Sequence, residues 1–373
     1  MNTSSSLIIR KDTICVVSDF QGKNPVGAIA RRVARCMKKA VVFSDTQATK
    51  WLYNPLLSSD QEFNFAIDNV LAQVKESNIT HLHLELGLFG KTIEQMRNTV
   101  IKIIETSKDL IVFIHSLHMN DDTFSPLYKE IISLCEEKRK QNTVLMWVNN
   151  IKDKHLLSLL YSGKTVYQPV LYFSEKIRKY LMRQGHIKRA SQPNKTITIG
   201  VFGYINAHKD FETTLRAFCL LPTSFRLVIV GGAHPGERKL YSLNPAIVSL
   251  DRLIWNFRNE NIIDRISFRD DLGDIAFFTE MASLDLIVIN YLETAMSASS
   301  VLSQALELGV PIVASRCTTF EMAQDHFGKT FEFFDPGNSI QLRQKILTVT
   351  EAPHQKRIPC SQTLEKSCSQ IEV

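Results

Sequence analysis

No stretch of this chain is long and apolar enough to cross a bilayer. Its first twenty residues, MNTSSSLIIRKDTICVVSDF, lack the charged start and hydrophobic core of a secretory signal. A cytoplasmic protein is the expectation. Cysteine is sparse and poorly spaced for cross-links: there are seven, an odd number with no CxxC pair, which argues for reduced thiols over a disulfide framework. Charge of one sign is not in large excess either, the net being +6, and nothing in the pattern marks a nucleic-acid partner. With 44% hydrophobic and 22% charged residues, disordered and fibrous classes are excluded, and 373 residues suffice for two domains with separate cores.

What the chain does contain is organised around Tyr291 to Ser315, YLETAMSASSVLSQALELGVPIVAS. The strand LDLIVIN (Leu284 to Asn290) runs into a small-residue turn in which Ser297, Ser299 and Ser300 are N-cap residue types. Apolar positions at Val301, Leu302, Ala305, Leu306 and Leu308 then repeat at helical spacing, and Gly309-Val310-Pro311 ends the helix before the strand PIVAS. A helix start offers unpaired N–H groups and the positive end of the dipole, enough to hold a phosphate, although an ordinary capped helix would carry the same residues. In parallel sheets ligands bind beyond the carboxyl ends of the strands, and the turn from Glu293 to Ser300 is at such an end.

The rest of the chain alternates strands and helices in two successive series, predicting an α/β protein. In the first, THLHLELG puts Leu82, Leu84 and Leu86 on one side and His81, His83 and Glu85 on the other. The two histidines could share a metal, but the sequence places no third ligand. Glu85 lies at its strand end, where an acceptor could be contacted. His115 and His118 emerge from the end of the next strand, placed to hydrogen-bond a ligand hydroxyl or a loop carbonyl. The expected division is a domain over 1–173, a basic linker over 174–195 in which a helix runs into a loop, and a second domain over 196–354.

Positive charge concentrates in that linker and in AIARRVARCMKK, where Ile29, Val33 and Met37 share one face and Arg31, Arg32, Arg35, Lys38 and Lys39 crowd the rest. Either segment can be a solvated face. Either can also dock on anionic lipid headgroups, at about 1 kcal/mol per cation near the surface, so a peripheral contact with the inner face of a membrane is allowed but not required.

Two stretches carry a resemblance to a known family. GVFGYINAHKDFETTLRAFCLLPTSFRLVIVGG and the Tyr291 to Ser315 segment resemble the nucleotide-sugar-binding domain of retaining glycosyltransferases of family 4. In the first half, VGAIARRVA is similar to that family's N-terminal glycine-loop helix and IVFIHSLH to its histidine-bearing strand. The resemblance implies the GT-B fold, two Rossmann-like domains facing each other across a cleft, with a C-terminal helix (355–373) returning to the first domain. It implies that Lys209 neutralises the donor diphosphate and that His115 contacts the transferred sugar. Gly203, Tyr204, Gly231, Gly232, Ser297, Ser299, Ser300, Val301 and Gln304 fall on the donor side, and Gly27, Glu85 and His118 on the acceptor side.

Three positions depart from the family pattern. Tyr204 stands where the family has an arginine, and Gln304 and Met296 stand where it has two glutamates. Glu293 replaces the first glutamate if the turn carries three extra residues. MSASS is similar to the Gln-Ser-x-Ser-Gly turn of a bacterial subset, with its Gln and Gly changed. The implied activity is transfer of a sugar from a nucleoside diphosphate-sugar to a glycan or lipid-linked acceptor, with retention of configuration, in polysaccharide or glycoconjugate synthesis. Lys209, His115 and Glu293 would be the catalytic set, with no cofactor beyond the co-substrate. No metal is expected, since RDDLGD (Arg269 to Asp274) reads as a polar turn. The three departures also motivate a second reading, a non-catalytic GT-B subunit that binds a glycan or a partner. A nucleotide-sugar epimerase, which needs no separate acceptor, is a third.

Overall fold

The computed structural model describes residues 13–20, 25–35, 40–47, 60–167, 172–191, 196–205, 209–232, 245–258, 262–269, 272–292, 299–327 and 331–351. The chain divides into two compact α/β units, with the boundary between Val170 and Leu171. The helix expected over 355–373 lies outside the described residues.

The first unit runs β1 (Thr13–Ser18), α1 (Pro25–Arg35), β2 (Ala40–Asp45), α2 (Asp60–Glu76), β3 (Ile79–Leu84), α3 (Ile93–Thr106), β4 (Asp109–Ile114), α4 (Ser125–Lys138), β5 (Val144–Val148), α5 (Ile151–Ser158) and β6 (Thr165–Tyr167). All strands are parallel, in the order β2-β1-β3-β4-β5-β6. Strands buried on both faces need apolar side chains in both directions, which is why DLIVFI and VLMWV read as near-continuous hydrophobic runs. On one face Leu82, Leu84, Val112, Ile114, Met146 and Val148 pack against the helices. Helix α3 shows how the covering layer forms: the Thr92 side chain accepts the Gln95 N–H at 3.2 Å and caps it, while Met96, Val100, Ile103 and Ile104 make its buried stripe. Each such side chain contributes about 1.5–3 kcal/mol on burial, so together they far outweigh the cap at about 1 kcal/mol.

The second unit runs α6 (Glu175–Ala190), β7 (Ile197–Phe202), α7 (Phe211–Cys219), β8 (Phe225–Val230), α8 (Pro245–Asn256), β9 (Ile266–Arg269), α9 (Asp274–Ser283), β10 (Leu286–Ile289), α10 (Ser300–Glu307), β11 (Ile312–Ser315), α11 (Thr318–Phe327), β12 (Glu332–Phe334) and α12 (Ser339–Glu351). Its parallel sheet has the order β12-β11-β10-β7-β8-β9, the doubly wound arrangement of dinucleotide-binding domains. The basic stretch expected as a linker holds α6, which belongs to this unit. A Cβ on Gly185 would stand 2.6 Å from Ala282 of α9, so the two helices pack backbone to backbone, and Lys188 and Arg189 form ion pairs with Glu280 and Asp285. Helices α5 and α11 were not anticipated from the sequence. Among the described residues, no helix is long and apolar enough to cross a membrane.

Candidate functional site

Strand order in the second unit reverses between β7 and β10, and at such a reversal a doubly wound sheet opens a crevice beyond its carboxyl ends. The chain leaves β7 at Gly203 with φ +92°, a left-handed conformation that side chains resist. A Cβ there would stand 2.9 Å from Lys209 Nζ and 3.4 Å from Val301 Cγ2, so the glycine, the lysine and the first turn of α10 meet at one point. Gly231, at the end of β8, presses against the same turn, where a Cβ would come within 2.1 Å of the Gly203 carbonyl oxygen. Backbone bonds hold the two loops together, Gly203 N–H to Val230 O at 2.9 Å and Ile205 N–H to Gly232 O at 3.0 Å. Tyr204, half-buried, follows Gly203.

Lys209 is only 6% exposed. Its Nζ donates to the Phe202 carbonyl at 2.5 Å and lies 5.9 Å from the centre of the Tyr291 ring. Its backbone bridges to Tyr291, and Asp210 N–H donates to Asn290 O at 2.8 Å. The Asn290 amide returns a bond to Asp210 O and another, at 2.5 Å, to Thr214 Oγ1, which ties the start of α7 to the end of β10. Desolvation lowers the Lys209 ammonium to about 7. An anion seated beside a buried amine favours its protonated form and would raise it again.

The first turn of α10 is shaped for the same kind of guest. Ser299 caps it, its Oγ accepting Leu302 N–H at 3.3 Å and its carbonyl accepting Ser303 N–H at 3.1 Å. The N–H groups of Ser300 and Val301 are then the donors that intrahelical bonding leaves over. Both ends of the helix are held: Tyr172 OH donates to Ser300 Oγ at 2.5 Å, and the fully buried Glu307 carboxylate accepts Tyr172 N–H at 2.7 Å and Phe173 N–H at 2.9 Å. One turn in from the start, Gln304 is 7% exposed and its Oε1 has no hydrogen-bond partner, an acceptor that a ligand hydroxyl could satisfy. Glu293 and Ser297, together with Met296, lie outside the described residues. The sequence reading gave no role to Asn290, Glu307 or Tyr172, whose partners lie far away in the chain.

In the first unit the reversal is between β1 and β3. Gly27 sits in the first turn of α1, where a Cβ would be 1.9 Å from Asp19 O, so only glycine lets this helix abut the strand end. Arg31 donates to Phe20 O at 2.8 Å and lies 5.8 Å over the Phe20 ring, so it belongs to this loop and not to an open basic face. Met37, Lys38 and Lys39 lie outside the described residues. At the end of β3, burial raises the Glu85 carboxyl, opposed by a hydrogen bond from Ser116 and by the nearby His118. Tyr128 OH donates to Ser116 O at 2.6 Å, and the His118 ring lies 6.2 Å from that of Tyr128. Glu85, Ser116 and His118 thus form one cluster.

His115 adjoins this cluster in the chain and makes a separate pair. Its Nε2 is 3.0 Å from His83 Nδ1, and its own N–H donates to Leu84 O at 3.1 Å. Burial lowers the His115 imidazole to about 4 and His83 well below its ordinary 6.5, so both rings are neutral. His81 shares the sheet face with His83, and among the described residues no group of three or more His, Cys, Asp or Glu is arranged to hold a metal ion.

No protein-family model and no curated protein matches the sequence. Solved structures do match its architecture. The HepE protein of Anabaena in complex with UDP and glucose is 15% identical, with a TM-score of 0.60 over 96% of this chain and 94% of that one. The sucrose-phosphate synthase of Thermosynechococcus elongatus is 14% identical, with a TM-score of 0.62 over 96% and 93%. A UDP-forming trehalose-phosphate synthase of Burkholderia xenovorans is 11% identical, with a TM-score of 0.63 over 97% and 95%. At these identities the likeness speaks to architecture alone, and the chain has the GT-B fold, two Rossmann-like α/β domains in succession.

Proposed function

We propose that the protein transfers a sugar from a nucleoside diphosphate-sugar to a glycan or lipid-linked acceptor with retention of configuration, as glycosyltransferases of family 4 do. The observation that carries the reading is the meeting of Gly203, the buried Lys209 ammonium and the first turn of α10 at the β7/β10 reversal. An ammonium and a helix start both favour anions, and a glycine between them lets a bulky anion approach the backbone. A diphosphate seated there would take the Lys209 ammonium on one side and the Ser300 and Val301 N–H groups on the other, while Gln304 Oε1 would accept a ribose hydroxyl. As the diphosphate departs from an oxocarbenium-like centre, negative charge grows on its oxygens, and these donors stabilise it more in the transition state than in the ground state.

The solved neighbours in complex with UDP and glucose support a UDP-sugar as the first donor to try. In the first unit, Glu85, Ser116 and His118 offer an acceptor hydroxyl a mixed set of hydrogen-bonding partners. No cofactor or metal enters this scheme. The reading is tested by incubating the protein with UDP-sugars, with and without glycan acceptors, and following UDP release. Turnover abolished by Lys209→Ala in a folded protein supports it, and turnover unaffected by that change would sink it. Tyr204, in place of an arginine that would grip phosphate bidentately, favours a second reading, a non-catalytic subunit that binds a glycan or a partner. A titration showing no nucleotide binding would mark that case.

A further inference from the structure

His83 enters no step above, yet it is fully buried and its ring lies flat against Phe113, with centroids 4.3 Å apart and planes 4° apart. Register explains the placement. His83 is the β3 partner of Phe113 in β4, so their side chains leave the sheet on one face, and His115, two residues beyond Phe113, leaves on that face as well. The sheet therefore delivers His83 Nδ1 to His115 Nε2 at 3.0 Å.

Two neutral imidazoles can share this contact in only two ways. If His115 Nε2–H donates, the proton of His83 sits on its own Nε2, which is buried with no partner. If His83 Nδ1–H donates, Nε2 of His83 is only a bare lone pair in the same apolar place. A buried donor without an acceptor is the costlier defect of the two, so the second arrangement prevails. His115 then holds its proton on Nδ1, an atom with no hydrogen-bond partner among the described residues.

We infer that His83 is a positioning residue that fixes His115 as a neutral Nδ1–H donor, committing it to donate a hydrogen bond to a ligand oxygen through that atom. The tautomer follows from the contact between two neutral rings and the unpartnered Nε2 of His83. That the ligand is a sugar rests on the reading of the protein as a glycosyltransferase.

The test uses ¹⁵N-histidine-labelled full-length protein, with the His115 signals assigned by their loss in His115→Asn. In the wild type at neutral pH, the ¹⁵N shifts and proton couplings should place the His115 proton on Nδ1. His83→Leu, which fills the volume without a donor, should shift His115 toward the Nε2–H form. His83→Asn, whose amide nitrogen stands near the position of Nδ1, should restore the wild-type pattern. Unfolding midpoints guard against a variant that fails to fold. If UDP-glucose binds, His83→Leu should weaken it about tenfold while leaving UDP alone unchanged, the size expected for one hydrogen bond to a neutral group. An Nε2–H tautomer in the wild type, or one unmoved by His83→Leu, overturns the inference. A protein that shows the expected tautomer but binds no nucleotide leaves the inference standing and removes the glycosyltransferase reading instead.

Discussion

Replacing Lys209 with methionine should separate the lysine's cost to the fold from its use in the site. Methionine fills much of the volume of the stem but cannot be charged. In the fold Lys209 titrates at about 7, against an ordinary 10.5, because burial excludes water from its ammonium. Between those two pH values the unfolded chain binds a proton that the folded chain does not, so stability rises with pH. Well inside that window each pH unit is worth about 1.4 kcal/mol; since the folded lysine is still half protonated at pH 7, the wild type should gain about 2.3 kcal/mol relative to Lys209→Met from pH 7 to 9. At pH 6, where the folded lysine carries its charge, the variant should be the more stable of the two despite losing a bond to Phe202 O worth about 1 kcal/mol. Urea unfolding of both proteins at pH 6, 7, 8 and 9 reads this directly, with the difference shrinking as pH rises. Parallel stability curves would refute the buried, uncompensated amine. A gain in stability coupled to a loss of ligand binding is what replacing a functional buried charge should show.

Gly203→Ala adds a Cβ at φ +92° and 2.9 Å from Lys209 Nζ, so it should cost about 1–2 kcal/mol of stability and at least tenfold in nucleotide affinity, measured by unfolding and by titration. Glu307→Ala leaves the buried N–H groups of Tyr172 and Phe173 without their carboxylate and should cost about 2–4 kcal/mol in urea unfolding, with Glu307→Gln intermediate. For the histidine pair the folded pKa values lie below the unfolded ones, so the stability they allow is fully present above about pH 6.5 and is lost as pH falls toward 4. Acid unfolding of His83→Leu/His115→Phe should show a shallower slope across that window, and an unchanged slope would count against neutral buried rings.

Much of this architecture was legible in the sequence because hydrophobic periodicity and caps are local. TICVVS and FRLVIV announce buried strands and AVVFSD a strand at the sheet edge, and Ser299 before Val301-Leu302 announces the helix it caps. Even α5, which went unrecognised, has a local signal in Asn150, whose side chain accepts the Asp153 N–H at 2.7 Å and donates to its carboxylate at 2.8 Å. The long-range pairings were not legible. Glu307 meets Tyr172 from 135 residues away, and His83 meets His115 only because the β3/β4 register sets both on one face. The Lys- and Arg-rich stretch after Ser174 reads as a helix running into a linker; that its Gly185 packs against Ala282 and its last cations meet Glu280 and Asp285, tying the helix to the second unit, was not legible.

The most direct measurement is a calorimetric titration of the wild type and of Lys209→Ala with UDP, followed by GDP, ADP, TDP and CMP. One nucleotide should bind the wild type saturably at one site per chain and bind the variant about 10- to 100-fold more weakly, the loss expected for a charge-assisted bond to phosphate. Absence of binding by every nucleotide, or equal binding to both proteins, would contradict a diphosphate seated between Lys209 and the start of α10.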